Sequence, residues 1–237
     1  QVFVVKIRMR WIYISPHLDD AVLSAGGLIY DQTQADMPVE IWTFMCGAPP
    51  NGKLSPFARR LHRQWGTASA KQTIRARRAE DKNAASMIGA QAVHFDFLDC
   101  IYRRGVNGEW LYSGISFAPQ ADDAGLPQQI ADSISPRLLP DDVLVCQLGV
   151  GSHVDHVLVR QAAELLGRPL IYDIDIPYLL SKPEEFEPKS AGMKESIHSI
   201  TEAGLQSWQE AVLAYKSQLP VLGEALDTPE KAKESIR

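Results

Sequence analysis

The chain has 237 residues, with 24 Lys and Arg against 29 Asp and Glu and a formal charge of −5. This acidic balance excludes a surface built for nucleic acid or an anionic membrane, and no apolar run reaches the ~18 residues of a membrane-spanning helix. Three scattered cysteines, Cys46, Cys100 and Cys146, are too few for a disulfide framework and read as buried free thiols of a cytoplasmic protein.

The N-terminal segment from Val2 to Ser15 is β-rich, and its clearest strand is Trp11-Ile12-Tyr13-Ile14. Lys6, Arg8 and Arg10 interrupt its apolar start, and no signal-peptide cleavage pattern follows. From Asp20 the apolar spacing fits a helix, with Gly26-Gly27 expected to allow close packing against the sheet. Val39 to Met45 reads as a second strand, and Gly47 to Pro56 as a loop.

A helix is expected from about Thr67 to Ile88, stopped at Gly89, followed by a strand from Ala92 to Phe97. Its basic stretch, Lys71 to Lys82, includes Glu80 and Asp81 and reads as a solvated helix face. Asp99 to Pro119 is irregular and aromatic; it is read either as a stacking surface for a sugar or as a loop packed onto the domain. Gln128 to Leu138 is helical, Val143 to Leu148 a strand, Val157 to Leu166 a helix and Leu170 to Ile174 a strand. A last helix is expected around Ser207 to Gln218.

Strands alternating with helices at this spacing imply an α/β fold, Rossmann-like, with a mostly parallel sheet flanked by helices. One domain over residues 1–226 is expected, its part from about 176 capping the substrate side, with a polar tail at 227–237.

Two acidic–histidine clusters carry the chemistry. Ser15-Pro16-His17-Leu18-Asp19-Asp20 follows the first strand, and Gly151-Ser152-His153-Val154-Asp155-His156 follows the strand at Val143. Both therefore sit at carboxyl ends of strands, where α/β sheets gather ligands. Imidazole and carboxylate are the usual ligands of a catalytic zinc site, which keeps three protein ligands and one place for water. The two clusters hold more donors than three, so a surplus is left for acid–base work, which suits hydrolysis. The ordinary alternative for Asp19-Asp20 is a helix N-cap with a first-turn charge. His62, His94 and His198 lack such a setting and read as surface or satisfied core histidines.

In these residues the chain resembles the PIG-L/LmbE family of zinc-dependent N-deacetylases. That family's A-H-P-D-D-E motif with its Gly-Gly helix start appears as Pro16-His17-Leu18-Asp19-Asp20-Ala21 and then Gly26-Gly27. Its H-x-D-H motif appears as His153-Val154-Asp155-His156. Arg77-Arg78-Ala79-Glu80 with Ala84-Ala85 and Gly89, and Tyr215-Lys216-Ser217-Gln218, match two weaker family elements.

The resemblance implies one Zn²⁺ per chain, held by His17, Asp20 and His156. It implies Asp19 as general base, His153 in protonated form as oxyanion partner or proton donor, and Asp155 as the group orienting His153. Arg77 and Asp99 would grip sugar hydroxyls. The implied activity is hydrolytic removal of an acetyl group from an N-acetylated amino sugar or glycoconjugate, a small-molecule substrate, in a chain free to form a homo-oligomer. The alternative is a metal-containing carbohydrate-binding or non-deacetylase member of the fold. A nucleotide-binding protein fits less well, because the G-x-G-x-x-G spacing is absent after the first strand. Leu18 and Ala21 depart from the motif at positions that are not ligands. Met45-Cys46-Gly47-Ala48 stands where many members carry a substrate-reaching Gly-Glu pair.

Overall fold

The strand β1 (Trp11–Ser15) points Ile12 and Ile14 to one face and Tyr13 to the other, and all three are buried. A strand buried on both faces belongs in the interior of a parallel sheet covered by helices on each side. The computed structural model, which describes residues 9–222 and Lys231, shows that arrangement.

After β1 come α1 (Asp20–Gln34), β2 (Val39–Thr43), α2 (Pro56–Gln64), α3 (Ala70–Met87), β3 (Gln91–His94) and α4 (Leu126–Ile134). Then follow β4 (Val143–Gln147), α5 (Val154–Leu165), β5 (Leu170–Asp173), two short helices α6 (Ile176–Ser181) and α7 (Phe186–Ser190), and α8 (Glu202–Val212). The five strands are parallel, in the order β3-β2-β1-β4-β5. The chain leaves the sheet at its β3 edge and re-enters beside β1, so the crevice between the carboxyl ends of β1 and β4 is the switch point of the fold. Among the described residues no helix is long and apolar enough to cross a membrane.

The core is divided by the sheet. On one face α1, α3 and α8 bury Val22, Ile29, Ile88 and Val212 against Tyr13, Ile41 and Val145. On the other, α4 and α5 bury Ile130, Ile134 and Val159 against Ile12, Trp42, Leu144 and Cys146. A third cluster joins α2, the start of α3, the turn at Cys100–Tyr102 and the first turn of α5 through Phe57, Ile74, Ile101 and Val154.

The structure differs from the sequence reading at several points. The stretch after Gly47 contains a helix, α2, started by Ser55, whose Oγ accepts from Ala58 N at 2.8 Å, and by Pro56. Its Arg- and His-rich sequence hides it. Helix α5 begins at Val154, three residues earlier than expected, and α8 runs from Glu202 behind the Thr201 cap. Residues 2–8 of the expected N-terminal β-rich segment lie outside the described residues, as does the expected tail apart from Lys231.

Gly26 and Gly27 do not meet the sheet. They make room for α8 and the segment before it: a Cβ on Gly26 would lie 2.3 Å from Trp208 Cδ1, and one on Gly27 2.8 Å from Ile200 Cδ1. Trp208 Nε1 donates to Val22 O at 2.6 Å, so the indole is fixed in this seat. Gly26→Ala overpacks the contact and should destabilise the fold by about 1–3 kcal/mol. Urea unfolding checks this through a lower midpoint at unchanged slope.

Candidate active site

The two clusters meet at the switch point. Gln147 at the end of β4 donates from Nε2 to Asp20 O at 3.1 Å and to Ser24 Oγ at 3.0 Å, which ties the start of α1 to the second strand end. Asp19 occupies the N-cap position of α1, yet its carboxylate caps nothing. Ser15 Oγ accepts from Ala21 N instead, at 3.2 Å, and Asp20 Oδ2 accepts from His17 N at 2.7 Å. The capping role expected of the acids falls partly to serine, and Asp19 is left facing a cavity.

At the other strand end the backbone is left-handed at Gly149, Gly151 and Ser152 (φ 84°, 87° and 53°). A Cβ on Gly151 would lie 2.3 Å from Tyr178 Cδ1, so glycine is required there for conformation and for space. His153 caps α5: its Nδ1 accepts from Asp155 N at 3.1 Å.

His17, His153 and His156 each offer a ring nitrogen within 4.8 Å of the others, and all three are buried. Two of these rings are backed by carboxylates. His17 Nε2 lies 3.0 Å from Asp155 Oδ2, and His156 Nδ1 lies 2.7 Å from Asp175 Oδ1. The remaining nitrogens turn to one oxygen, with His17 Nδ1 at 3.2 Å and His156 Nε2 at 3.3 Å from Asp20 Oδ2. The second of these contacts lies outside hydrogen-bond geometry, so His156 Nε2 is a buried nitrogen without a hydrogen-bond partner.

That orphaned atom and these spacings fit a metal. Bonds of about 2.0–2.1 Å in tetrahedral array place neighbouring ligand atoms roughly 3.3 Å apart. A carboxylate behind each ligating imidazole is the usual support that fixes ring orientation and raises basicity.

The charges follow from crowding acids and imidazoles in a dry space. Burial works against charge on His17, yet its bonds to Asp155 and Asp20 hold its pKa well above the ordinary imidazole value. His156 likewise, opposed by burial and favoured by Asp20 and Asp175, is pushed up to about 9. Burial raises Asp19 to about 7, against the pull of Arg77, whose Nη2 lies 3.5 Å from Asp19 Oδ2. His153 moves the other way: burial and the neighbouring His17 charge hold it well below the ordinary value. Asp155, despite burial, is kept well below the carboxylate range by Arg103 and His17.

A cavity of about 250 Å³ opens over this cluster, and His17, Asp19, Asp20, Arg77, Asp99 and His153 line it. His156 and Asp155 lie beneath its floor, at most 1% exposed. All eight residues singled out in the sequence therefore converge. Asp99 Oδ2 is 3.9 Å from His17 Nε2, and its Oδ1 caps the Cys100–Tyr102 turn by accepting from Ile101 N at 3.0 Å.

Two expected roles differ from what the geometry shows. The Asp155 carboxylate makes no hydrogen bond to the His153 ring; it accepts from Arg103 Nη1 and from Cys100 N and backs His17. His153 is oriented by the helix N-terminus instead. Its Nδ1 accepts from Asp155 N, a contact that a ring protonated at that nitrogen would not make, and burial with the neighbouring His17 charge depresses its pKa.

Three participants escaped the sequence reading. Asp175, which also accepts from Gly149 N and Val150 N at 2.7 and 3.0 Å, stands at the exit of β5. Arg103 joins Asp155 to Asp123. The Tyr178 ring meets His156 edge-on at 5.3 Å. Only Asp175 carried a signal, as an acid just past a strand end. The aromatic segment from Tyr102 to Phe117 is mostly packing: Tyr102 and Tyr112 are buried, with hydroxyls on His62 Nε2 and Asp123 Oδ2. Asp175→Asn keeps the shape but weakens the hold on His156 Nδ1, and should cost about 10–100-fold in metal affinity by chelator competition.

Residues 12–166 match the PIG-L family model, described as GlcNAc-PI de-N-acetylase. The 2'-N-acetylparomamine deacetylase of Niallia circulans is 22% identical over 249 residues, which cover 93% of this chain and 85% of that protein. Among solved structures, the deacetylase–bog complex from the biosynthesis pathway of teicoplanin superposes with a TM-score of 0.80 at 30% identity, over 92% of this chain and 89% of the other. The zinc inhibited form of teicoplanin deacetylase Orf2 gives a TM-score of 0.75 at 29% identity, over 90% and 86%. With a family match over residues 12–166 laid on this fold and this cluster, the chain belongs to the PIG-L family and is an N-deacetylase.

Proposed function

We propose that the chain removes the acetyl group from an N-acetylated amino sugar carried on a partly apolar glycoconjugate, using one Zn²⁺ held by His17, Asp20 and His156. The observation that carries this reading is the convergence of His17 Nδ1 and the orphaned His156 Nε2 on Asp20 Oδ2, with a buried carboxylate behind each ring. When bound, zinc supplies a Lewis acid that brings the pKa of a coordinated water to about 7. The description of one similar protein as a zinc inhibited form supports the entry of zinc into such sites.

The side chains supply the remaining functions. Asp19, with its pKa near 7 and its carboxylate steadied by Arg77, takes a proton from the attacking water. His153, neutral and accepting at Nδ1, presents Nε2–H to the oxygen of the amide as negative charge develops there. The proton that Asp19 took from the water then passes to the departing amine, while His153 keeps its Nε2–H on the oxygen. Asp155 and Asp175 hold the two ligating rings.

Arg77 and Asp99 stand on the polar wall, where sugar hydroxyls would be gripped. The rest of the wall is apolar, from Leu61, Trp65, Ile115, Val221 and Leu222, and suits an aglycone with hydrophobic surface. The segment from Ile176 onward contributes Pro177, Tyr178, Ser181 and Gln218 to the lining, which supports reading it as a cap on the substrate side. The buried free cysteines suit a reducing compartment such as the cytoplasm.

Acetate release from N-acetylglucosaminides of differing aglycone tests the reading. Turnover should be lost to a chelator and restored by Zn²⁺; turnover that survives complete metal removal overturns it. Metal uptake also depends on pH in a stated direction. His17 and His156 are held protonated above the ordinary imidazole range, His156 up to about 9, and a cation must displace those protons. Apparent affinity should therefore rise with pH until about 9, by roughly tenfold per unit for each proton displaced. Competition against a chelator in acidic and alkaline buffers measures this slope, and a flat profile contradicts it.

A further inference from the structure

Cys100 lies behind the cavity, between the lining residues Asp99 and Ile101, with no part in the hydrolysis. It is fully buried at the start of the Cys100–Tyr102 turn. Its Sγ, a ring nitrogen of His153 and a carboxylate oxygen of Asp155 all lie within 4.8 Å of one another. Among the described residues no other such donor group includes a cysteine. We propose that Cys100, His153 and Asp155 form a second metal site, selective for a thiophilic divalent cation, whose occupation inhibits the enzyme.

The donor chemistry sets the selectivity. Sulfur, imidazole nitrogen and one carboxylate oxygen suit zinc or cadmium, whereas magnesium, calcium and manganese favour oxygen donors. As the metal–sulfur bond forms, the Sγ–H bond breaks and its proton passes to solvent.

Shared residues make the site inhibitory. His153 belongs both to the group with His17 and His156 and to the group with Cys100. A cation on Cys100 takes the His153 ring away from the substrate oxygen and draws Asp155 away from His17. The inhibition rests on the role proposed for His153; the existence of the site does not.

The test uses enzyme loaded with one equivalent of zinc and titrated with Cd²⁺, following bound metal, the ultraviolet thiolate-to-cadmium charge-transfer band and acetate release together. The wild type should take up a second equivalent, develop the band and lose activity in step. Cys100→Ala and the near-isosteric Cys100→Ser should keep basal activity, show no band, and bind the second equivalent about tenfold or more weakly. Mg²⁺ should neither bind there nor inhibit. A wild type that binds a single equivalent overturns the proposal, as do Cys100 variants that bind the second with unchanged affinity and band. If the first equivalent confers no activity, the hydrolytic reading fails, while the band and its loss in the variants still decide this one.

Discussion

Replacing Asp19 by Asn lowers kcat by roughly 10²–10⁴-fold and leaves KM and zinc content close to wild type. The expectation separates Asp19 from its neighbour. Asp20 touches both imidazoles, whereas Asp19 faces the cavity and pairs with Arg77 at 3.5 Å. Asn preserves the shape beside Arg77 but has no basic oxygen for the water proton. Since burial holds the carboxylate near 7, the wild-type rate should fall as pH drops through that region, where the base is lost to protonation. Single-turnover acetate release, paired with metal analysis, distinguishes the possibilities. A variant that loses zinc with its rate makes Asp19 a ligand; one that keeps its rate removes it from the chemistry.

Asp155→Ala is expected to have the largest effect on stability. The carboxylate is 0% exposed and receives the Arg103 guanidinium, Cys100 N and His17 Nε2. Removing one member of a buried pair leaves an uncompensated charge, at a cost of about 3–5 kcal/mol. Arg103 keeps Asp123 at 2.8 Å, so the lower end of that range applies. Denaturant unfolding should show the loss as a lower midpoint, and metal affinity should fall as well because His17 loses its support. The sign with pH follows from the depressed carboxylate. Its contribution is complete above the ordinary carboxylate range and is withdrawn as pH falls toward its lowered folded value. Stability equal to wild type, with zinc still bound, contradicts this account.

The parallel sheet and the placing of both acid–histidine clusters were readable because local signals fix them. Apolar runs such as Trp11 to Ile14 and Val143 to Gln147 mark buried strands, and an acid–histidine cluster behind each marks the carboxyl ends. Arg77 and Asp99 also reached the cavity. What escaped was set by contacts distant in sequence. Gly26-Gly27 looked like sheet packing, but the partner is Trp208. The resemblance made Asp155, two residues after His153, that ring's partner; helix geometry turns its carboxylate to His17 and Arg103. Asp175 had no neighbour in the motif, and its service to His156 comes from the β4–β5 pairing. Helix α2 was hidden by a polar sequence, although Ser55-Pro56 announced its start.

The β1–β4 pairing also divides ownership of the proposed metal cluster. His17 and Asp20 come from the part of the chain that supplies β1, β2 and β3; His156 and Asp175 come from the part that supplies β4 and β5. Of the proposed ligands, the first half supplies His17 and Asp20 and the second only His156, so neither holds the full set. If the proposed zinc site is correct, metal uptake during refolding should clock the meeting of the two halves, an event that recovery of helical signal would miss.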